Sequence, residues 1–448
     1  MSTSPRRRIT QIMTCLGAVI ILGAGIAHMS SANSVAPLYS PVVHPEGFPT
    51  RSAAAHEASA VTSLAAGPPA KVLFWGDSNG GVSTAPPKVY LIFWGPRWGH
   101  QTLGADGNIR LGGDPKGVAP KVESLMKGLG TKGELWSGVM TQYCGGVAYG
   151  TTACKSWNPH VKYSTNVYLG LWVDSSAEAS NVTESQIAAE ANKAAKHFGR
   201  TTAASNLGIQ YIIMSPTGAH PNFFNTKTGS ICADHDDAGV AYIDLPYVPD
   251  LGGNCGAHYV NAGAAGVLDG LTMVAGHEYA EGITDQVPEG GWGDPTNNEI
   301  ADKCVWHGVG GIGGAENLVL ATGTFAMQST FSNDTDRCQI SHPIVHTIAH
   351  EFHIALSTSS ITVHRGTSHN LTIASSVLAG TPQAISITLG GKPAGVTGSL
   401  TRNPIVAGTN TVLSVHVASS TKVGVYHLAV NGTSPNVMHA DALTLTVT

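Results

Sequence analysis

Residues 277–281, His-Glu-Tyr-Ala-Glu, carry an imidazole and a carboxylate four positions apart within the stretch LTMVAGHEYAEGITDQ. No proline interrupts residues 271–283, and the apolar side chains there have the spacing of a helix packed on a sheet. On a helix, side chains at i and i+4 project from one face, about 5–6 Å apart. We therefore expect His277 and Glu281 to bind one metal ion, with Glu278 beside them as the general base.

A third ligand is expected in the segment NNEIADKC, which begins 16 positions after Glu281, at residue 297. Glu299 and Asp302 stand three positions apart there, so a helix would place them on one face. We predict that Glu299 binds the metal and that Asp302 orients the ligand imidazole or serves as an alternative ligand. The competing interpretation is a surface helix with solvated acids. Four acids and a histidine in a chain with only 12% charged residues favour the metal site.

The carboxylate of Glu281 stands where the zinc-protease motif His-Glu-x-x-His has its second imidazole. Two carboxylates and one imidazole already neutralise the charge of a divalent ion. A water bound to this ion should therefore be less acidic than a water bound to a metal with neutral His ligands, which has a pKa of about 7. Zinc is the expected metal, although oxygen ligands admit manganese or calcium more readily. A structural, non-catalytic ion therefore remains an alternative.

A second group of acids lies in the segment CADHDD, residues 232–237, which we predict to be a loop. Asp234, Asp236 and Asp237 offer the crowded oxygen ligands that calcium prefers. A solvated acidic loop is the default interpretation, and a calcium site at these three residues is the alternative.

The first residues are typical of an export signal. The motif PRRR precedes an apolar stretch of 16 residues, from Ile12 to Ala27, and small residues suited to cleavage follow it. This stretch is short for a membrane span. We predict a signal peptide over residues 1–32 and a secreted, extracellular bacterial protein, with an uncleaved signal anchor as the alternative.

Removal of the signal and its Cys15 leaves an even number of cysteines, which in an exported chain points to disulfides. They fall as three successive couples along the chain. Sequential pairing closes the shortest loops, so we predict that the bonds join Cys144 to Cys154, Cys232 to Cys255, and Cys304 to Cys338. A zinc site made of cysteines is disfavoured because no C-x-x-C motif occurs.

Composition divides the remaining chain into three parts. Residues 33–70 are rich in Ala, Ser and Pro and are predicted to be a linker or propeptide. Residues 71–343 alternate strand-like and helix-like stretches, which predicts an α+β core. Its clearest elements are strands over 88–95, 209–216 and 240–248 and helices over 118–130 and 182–199, the last with a capping box at Thr183 and Gln186.

Residues 344–448 contain about seven short alternating strands separated by Gly- and Ser-rich turns. This pattern predicts an all-β, immunoglobulin-like sandwich, to which we assign no chemistry. The net charge of −5 provides no basic field, which excludes a nucleic-acid partner. No membrane contact beyond the signal segment is predicted, and the chain is expected to be a monomer.

The segments NGGVSTAPPKVYLIFWG and VAGHEYAEGITD, together with WGDPTNNEIADKC and the paired cysteines, resemble the exordium-like or phosphate-induced protein family. The resemblance covers about residues 75–340. It implies a zincin-like fold and an extracellular location, without implying a particular reaction. The signal, the linker and the C-terminal sandwich are not part of the plant pattern of that family.

These features together predict a secreted, metal-dependent hydrolase. A metallopeptidase that acts on an extracellular or cell-wall protein is the expected activity, with an α+β zincin-like core and an appended sandwich. One alternative is a non-catalytic extracellular protein that holds a structural metal. Another is a carbohydrate-associated wall protein, which would need exposed aromatic platforms that the sequence does not place.

Overall fold

The structure is a computed structural model, and it describes residues 47–55, 71–76, 81–179, 181–219, 221, 224, 231–287 and 290–448. The predicted signal peptide, most of the predicted linker and residues 77–80 lie outside this part of the chain. The described residues form a mixed α/β region with several sheets and few helices, followed by an all-β region. Among them, no helix combines the length and the apolar character needed to cross a bilayer.

Within the described residues, the α/β region contains fourteen strands, a short helical segment at residues 51–55 and four further α-helices. The helices are α1 (Val118–Gly128), α2 (Glu184–His197), α3 (Ala203–Asn206) and α4 (Asp269–Thr284). The strands are β1 (Phe48–Pro49), β2 (Leu73–Phe74), β3 (Lys88–Trp94), β4 (Gln101–Leu103), β5 (Ile109–Leu111), β6 (Tyr168–Asp174), β7 (Ile209–Met214), β8 (Ile231–Asp237), β9 (Ala241–Leu245), β10 (Trp292–Gly293), β11 (Glu316–Leu320), β12 (Gly323–Met327), β13 (Thr330–Ser332) and β14 (Arg337–Gln339).

Six of these strands form the central sheet, in the order β1-β8-β9-β7-β3-β6. Strands β9, β7, β3 and β6 run parallel, whereas β8 runs antiparallel to β9 and β1 runs antiparallel to β8. The parallel strands β3 and β7 are almost continuously apolar because both faces of the sheet are covered. The short strand β1 belongs to the range that the sequence assigns to a linker, so the main sheet begins earlier than the predicted core.

Helices pack on both faces of the central sheet. On one face, α2 covers Ile92, Tyr211 and Ile213 with its apolar side. On the other face, α1 and α4 share a larger apolar core with Phe93 and Ile212. The helix α4 therefore lies between the sheet and the strands that follow it, and all of its residues are buried.

Three of the predicted helices are confirmed to within a few residues. Helix α2 begins after Thr183, whose side chain forms the predicted capping box with Gln186, and Gly199 follows it with a left-handed φ of 70°. The stretch predicted as a helix over 271–283 becomes α4, which extends it by two residues at the start and one at the end. The predicted helix around Glu299 is wrong, because only a single 3-10 turn, Asp302–Cys304, forms there.

All three predicted disulfides are confirmed. The bonds join Cys144 to Cys154, Cys232 to Cys255 and Cys304 to Cys338, with sequence separations of 10, 23 and 34. The second bond ties β8 to the 3-10 segment Val248–Cys255, and the third ties the turn after Glu299 to β14. Two of the three bonds therefore fasten segments that neighbour α4.

The all-β region consists of two sheets that share a separate apolar core, made of residues such as Ile373, Val415 and Leu445. One sheet has the order β15-β17-β21-β19 and the other the order β16-β23-β22-β18-β20. Their strands are β15 (Glu351–Leu356), β16 (Ser360–Val363), β17 (Ser368–Ala379), β18 (Ala384–Gly390), β19 (Val396–Leu400), β20 (Ile405–Val406), β21 (Thr411–Val417), β22 (Gly424–Thr433) and β23 (Met438–Val447). Alternation of buried and exposed residues along β21 and β23 is the pattern expected of a sandwich.

The segment between the two regions stays in contact with the α/β region. The backbone N–H of His342 donates to Leu135 O at 2.9 Å, and that of Ile348 donates to Ser156 O at 2.7 Å. The apolar core of the sandwich begins only at Phe352. Residues 344–350, predicted as part of the sandwich, are therefore hydrogen-bonded to the α/β region.

Candidate metal centre

Helix α4 presents three of the predicted site residues toward β8 and the turn at residue 302. His277 and Glu278 are fully buried, and Glu281 is 1% exposed. The helix can lie this deep because Gly276 leaves room for Met327. A Cβ atom at residue 276 would lie only 2.4 Å from Met327 Cε. Burial of charged groups is costly unless they are paired or bind a cation, so these side chains need partners.

The imidazole of His277 faces two carboxylates. Its Nε2 lies 2.9 Å from Glu281 Oε2 and 3.4 Å from Asp302 Oδ1. Within the described residues, neither ring nitrogen of His277 has a hydrogen bond of good geometry. A fully buried imidazole without such a partner is uncommon in proteins and fits a ligand position.

The two oxygens of Glu281 have different environments. Its Oε1 accepts hydrogen bonds from the backbone N–H groups of Ala301 at 3.0 Å and Asp302 at 2.9 Å. Its Oε2 faces His277, and it lies 4.0 Å from Nδ1 of His235. Oε1 therefore fixes the orientation of the carboxylate, and Oε2 is the atom available to a cation.

His235 is a site residue that the ligand prediction missed. It lies on β8, with Nδ1 at 3.3 Å from Glu278 Oε2 and Nε2 at 3.7 Å from Glu299 Oε1. The structure thus brings together two groups that share Glu281. One consists of His277, Glu281 and Asp302, and the other of His235, Glu281 and Glu299.

Within each group the donor atoms lie within 4.8 Å of one another, which fits a small cation. The predicted ligands His277, Glu281 and Glu299 are all near α4, but Asp302 rather than Glu299 is the carboxylate next to His277. Glu299 Oε2 is buried and has no hydrogen-bond partner among the described residues. The residues therefore fit a divalent ion, and Glu281 is common to both arrangements.

The electrostatics of the cluster also favour a cation. Burial lowers the pKa of His277, but the adjacent Glu281 carboxylate outweighs this effect and holds the pKa well above its usual value. For Glu299, burial together with the nearby Glu281 and Asp285 carboxylates raises the pKa well above its usual value. Burial and Glu281 raise the pKa of Asp302 to about 6. Five carboxylates, those of residues 278, 281, 285, 299 and 302, thus surround two imidazoles, and a divalent cation would reduce their repulsion.

The predicted calcium loop has a different structure. Asp234, Asp236 and Asp237 lie in β8 and not in a loop, so successive side chains point to opposite faces of the sheet. Asp234 lies opposite Asp244 on β9, and Asp236 accepts a hydrogen bond from the Tyr242 hydroxyl at 3.2 Å. The prediction of a loop is wrong, and these three aspartates do not form a metal-binding group among the described residues.

Comparison with known proteins leaves the family open. No family model and no curated protein matches the chain. Among solved structures, domains 4 and 5 of the S-layer protein SbsC are 11% identical, with a TM-score of 0.18, over 22% of this chain and 53% of that one. The chain thus spans about half of that S-layer fragment.

Two other solved structures are similar over a comparable part of the chain. A chimeric titin Z1Z2 is 16% identical over 22% of this chain and 98% of that one, with a TM-score of 0.16. A family 123 glycoside hydrolase from Clostridium perfringens is 6% identical over 22% of this chain and 27% of that one, with a TM-score of 0.18. Likenesses at these TM-scores carry no argument about function.

Proposed function

We propose that this protein is a secreted metal-dependent hydrolase, and specifically a peptidase acting on extracellular or cell-wall proteins. The observation that carries the proposal is the fully buried His277, whose ring nitrogens lack good hydrogen bonds while Glu281 and Asp302 face its Nε2. The proposal includes a zincin-like identity for the α/β region and an immunoglobulin-like identity for the sandwich. The antiparallel strand β8 beside α4 supports the first, and the two facing sheets support the second.

The metal ion, expected to be zinc, would supply Lewis acidity at the centre of the cluster. His277, Glu281 and Asp302, or alternatively His235, Glu281 and Glu299, would hold it, with Oε1 of Glu281 fixed by the backbone of residues 301 and 302. Glu278 lies one position after His277 and is not part of either metal-binding group. It is therefore the residue available to accept a proton from the nucleophile and to deliver it to the leaving amine.

Three disulfides are consistent with the extracellular location that the N-terminal residues predict. We expect the protein to act as a monomer, without nucleic acid and without membrane contact beyond the signal segment. A second candidate function is a non-catalytic extracellular protein with a structural ion. The complete burial of both His277 and Glu278 favours this candidate, because a catalytic centre must admit its substrate.

Paired measurements on wild type and Glu278→Gln distinguish the two functions. The substitution preserves the shape of the side chain and removes the base. A catalytic site predicts full metal content in both proteins and a loss of peptide hydrolysis of about 10² to 10⁴ in the variant. Equal hydrolysis in both proteins, or loss of the metal from the variant, would favour the structural ion.

A further inference from the structure

A segment close to the N-terminus covers the candidate base. Strand β1 pairs antiparallel with β8, placing Phe48 opposite Ala233 and Pro49 opposite Ile231. The backbone N–H of Phe48 donates to Glu278 Oε1 at 3.0 Å. Since Oε2 of Glu278 lies 3.3 Å from His235 Nδ1, both oxygens of the carboxylate are engaged. In this state the segment lies directly against the carboxylate that would have to accept a proton from a nucleophile.

The side chain of Phe48 fills an aromatic pocket at the edge of the metal centre. It is fully buried, with its ring 4.7 Å from that of His277 and 4.9 Å from that of Trp306, both in edge-to-face geometry. Such aromatic pairs add stabilisation beyond the burial of apolar area. The pocket therefore selects a large flat side chain directly beside the candidate ligand His277.

Further contacts hold the segment in place, among them the guanidinium of Arg51 over the rings of Tyr259 and Trp306. Trp306 Nε1 donates to Pro49 O at 2.9 Å, and the backbone N–H of Ser52 donates to Asn254 Oδ1 at 3.0 Å. Strand β1 has only two residues, and its proline has no N–H to add to the ladder. An extended peptide with an aromatic residue in the position of Phe48 could replace each of these contacts.

Gly47 lets the segment approach β8 closely. Its φ is +125°, and a Cβ at this position would lie 2.4 Å from Ala233 O and 2.9 Å from Asp234 Cβ. Both the conformation and the space exclude a side chain here. A substitution at Gly47 should therefore push the segment away from β8 without altering any residue of the metal centre.

We propose that the edge of β8 and the pocket beside His277 and Trp306 bind an extended peptide that presents an aromatic side chain, and that residues 47–50 of this chain, which precede a helical segment at residues 51–55, occupy this site as an internal blocking peptide. Addition of a strand to a free sheet edge is a common mode of peptide recognition, in which side-chain pockets supply the specificity. The inference rests on the proposed function, for which it names the substrate class. It also explains why His277 and Glu278 are completely buried, although an active hydrolase must let its substrate reach them.

Peptide binding in the absence of metal tests the inference separately from catalysis. The probe is a fluorescent synthetic peptide, Gly-Phe-Pro-Thr-Arg-Ser, which copies residues 47–52, and its counterpart with Ala in place of Phe. Binding to the full chain is followed by fluorescence anisotropy in chelator. The chains compared are wild type, Gly47→Ala, Phe48→Ala and the control Ser52→Ala, which changes an exposed side chain of the same segment and keeps its backbone donor.

An internal peptide competes at an effective concentration in the millimolar range, so wild type and Ser52→Ala should bind the probe weakly. Gly47→Ala and Phe48→Ala should bind the probe at least about 10-fold more tightly than wild type does. These two variants should bind the Ala counterpart about 10-fold less tightly than the probe, because the counterpart places no aromatic side chain in the pocket. Equal binding by all four chains, or equal affinity for the two peptides, would overturn the inference.

Hydrolysis is measured separately, with metal restored, in wild type, in Gly47→Ala and in the double variant Gly47→Ala/Glu278→Gln, in which it should be about 10² to 10⁴ slower than in Gly47→Ala. Tight Phe-dependent binding without hydrolysis by Gly47→Ala would retain the peptide site and refute the proposed peptidase. Hydrolysis at equal rates in wild type and Gly47→Ala, without preference for aromatic peptides, would retain the peptidase and refute the blocking segment.

Discussion

The disulfide between Cys232 and Cys255 should support the metal centre as well as the stability of the protein. It ties β8, which carries His235, to the segment Val248–Cys255. We consider replacement of both cysteines by alanine, which avoids burying a hydroxyl at two fully buried positions. The loss of this bond frees one end of the strand against which α4 packs.

The magnitude follows from the length of the loop that the bond closes. In the chain-entropy model a separation of 23 residues corresponds to about 3.4 kcal/mol at 25 °C. The bond between Cys144 and Cys154 closes 10 residues, which corresponds to about 2.7 kcal/mol. This bond contacts none of the candidate ligands, so replacement of Cys144 and Cys154 by alanine is a control with a similar expected loss of stability.

Urea unfolding followed by tryptophan fluorescence gives the two stabilities, and titration with zinc gives the two affinities. We expect both variants to lose similar amounts of stability. Only the variant at residues 232 and 255 should bind zinc more weakly, by at least about 10-fold, which is the loss typical when a contact that supports the metal ligands is removed. Equal zinc affinity in the two variants would refute the idea that this bond positions β8 at the centre.

Further predictions concern single residues and the division of the chain. Glu281→Ala should abolish metal binding measured by elemental analysis, because Glu281 belongs to both ligand groups; retention of the metal would exclude Glu281 as a ligand. Asp302→Ala should also remove the metal, because Asp302 is the carboxylate next to His277, whereas Glu299→Ala should leave it bound; the reverse result would place the ion in the group with His235. Burial and the nearby Asp174 raise the pKa of Glu190 from 4.5 to about 8, so stability should fall as pH rises through this window, because the unfolded state loses the proton first. Glu190→Gln should flatten this fall in urea unfolding at pH 5 and pH 8, and an unchanged slope would refute the assignment. Limited proteolysis should release a stable fragment of about 100 residues starting near residue 350, and the remaining α/β region should keep its metal; metal loss on cleavage would place a ligand in the sandwich.

Local patterns in the sequence predicted the elements that depend on local chemistry. The extent of α4 followed from apolar spacing without proline, and the disulfide pairing followed from the short loops that sequential pairing closes. The segment around Glu299 was misassigned because its i and i+3 acids suggested a helix. In the structure this segment forms only a 3-10 turn, and its backbone N–H groups at Ala301 and Asp302 donate hydrogen bonds to Glu281 Oε1.

Contacts between distant segments could not be predicted in the same way. His235 reaches the centre only because β8 lies beside α4, and the assignment of CADHDD to a loop concealed it. Interpretation of this segment as a strand would have placed His235 on the face opposite Asp234 and Asp236. The pairing of Phe48 with β8 has no sequence signal beyond a glycine before an aromatic residue in an otherwise Ala-, Ser- and Pro-rich stretch.

The central claim is that the buried cluster around α4 binds a divalent metal. Elemental analysis of the purified full chain, together with zinc titration after treatment with chelator, tests it directly. The matched control is His342→Ala, which removes an imidazole paired with Asp334 outside the cluster. We predict one bound divalent ion per chain in wild type and in His342→Ala, and none in His277→Ala with its fold intact. Wild-type protein that neither contains a divalent metal nor binds zinc, or a folded His277→Ala variant that keeps the ion, would contradict the claim.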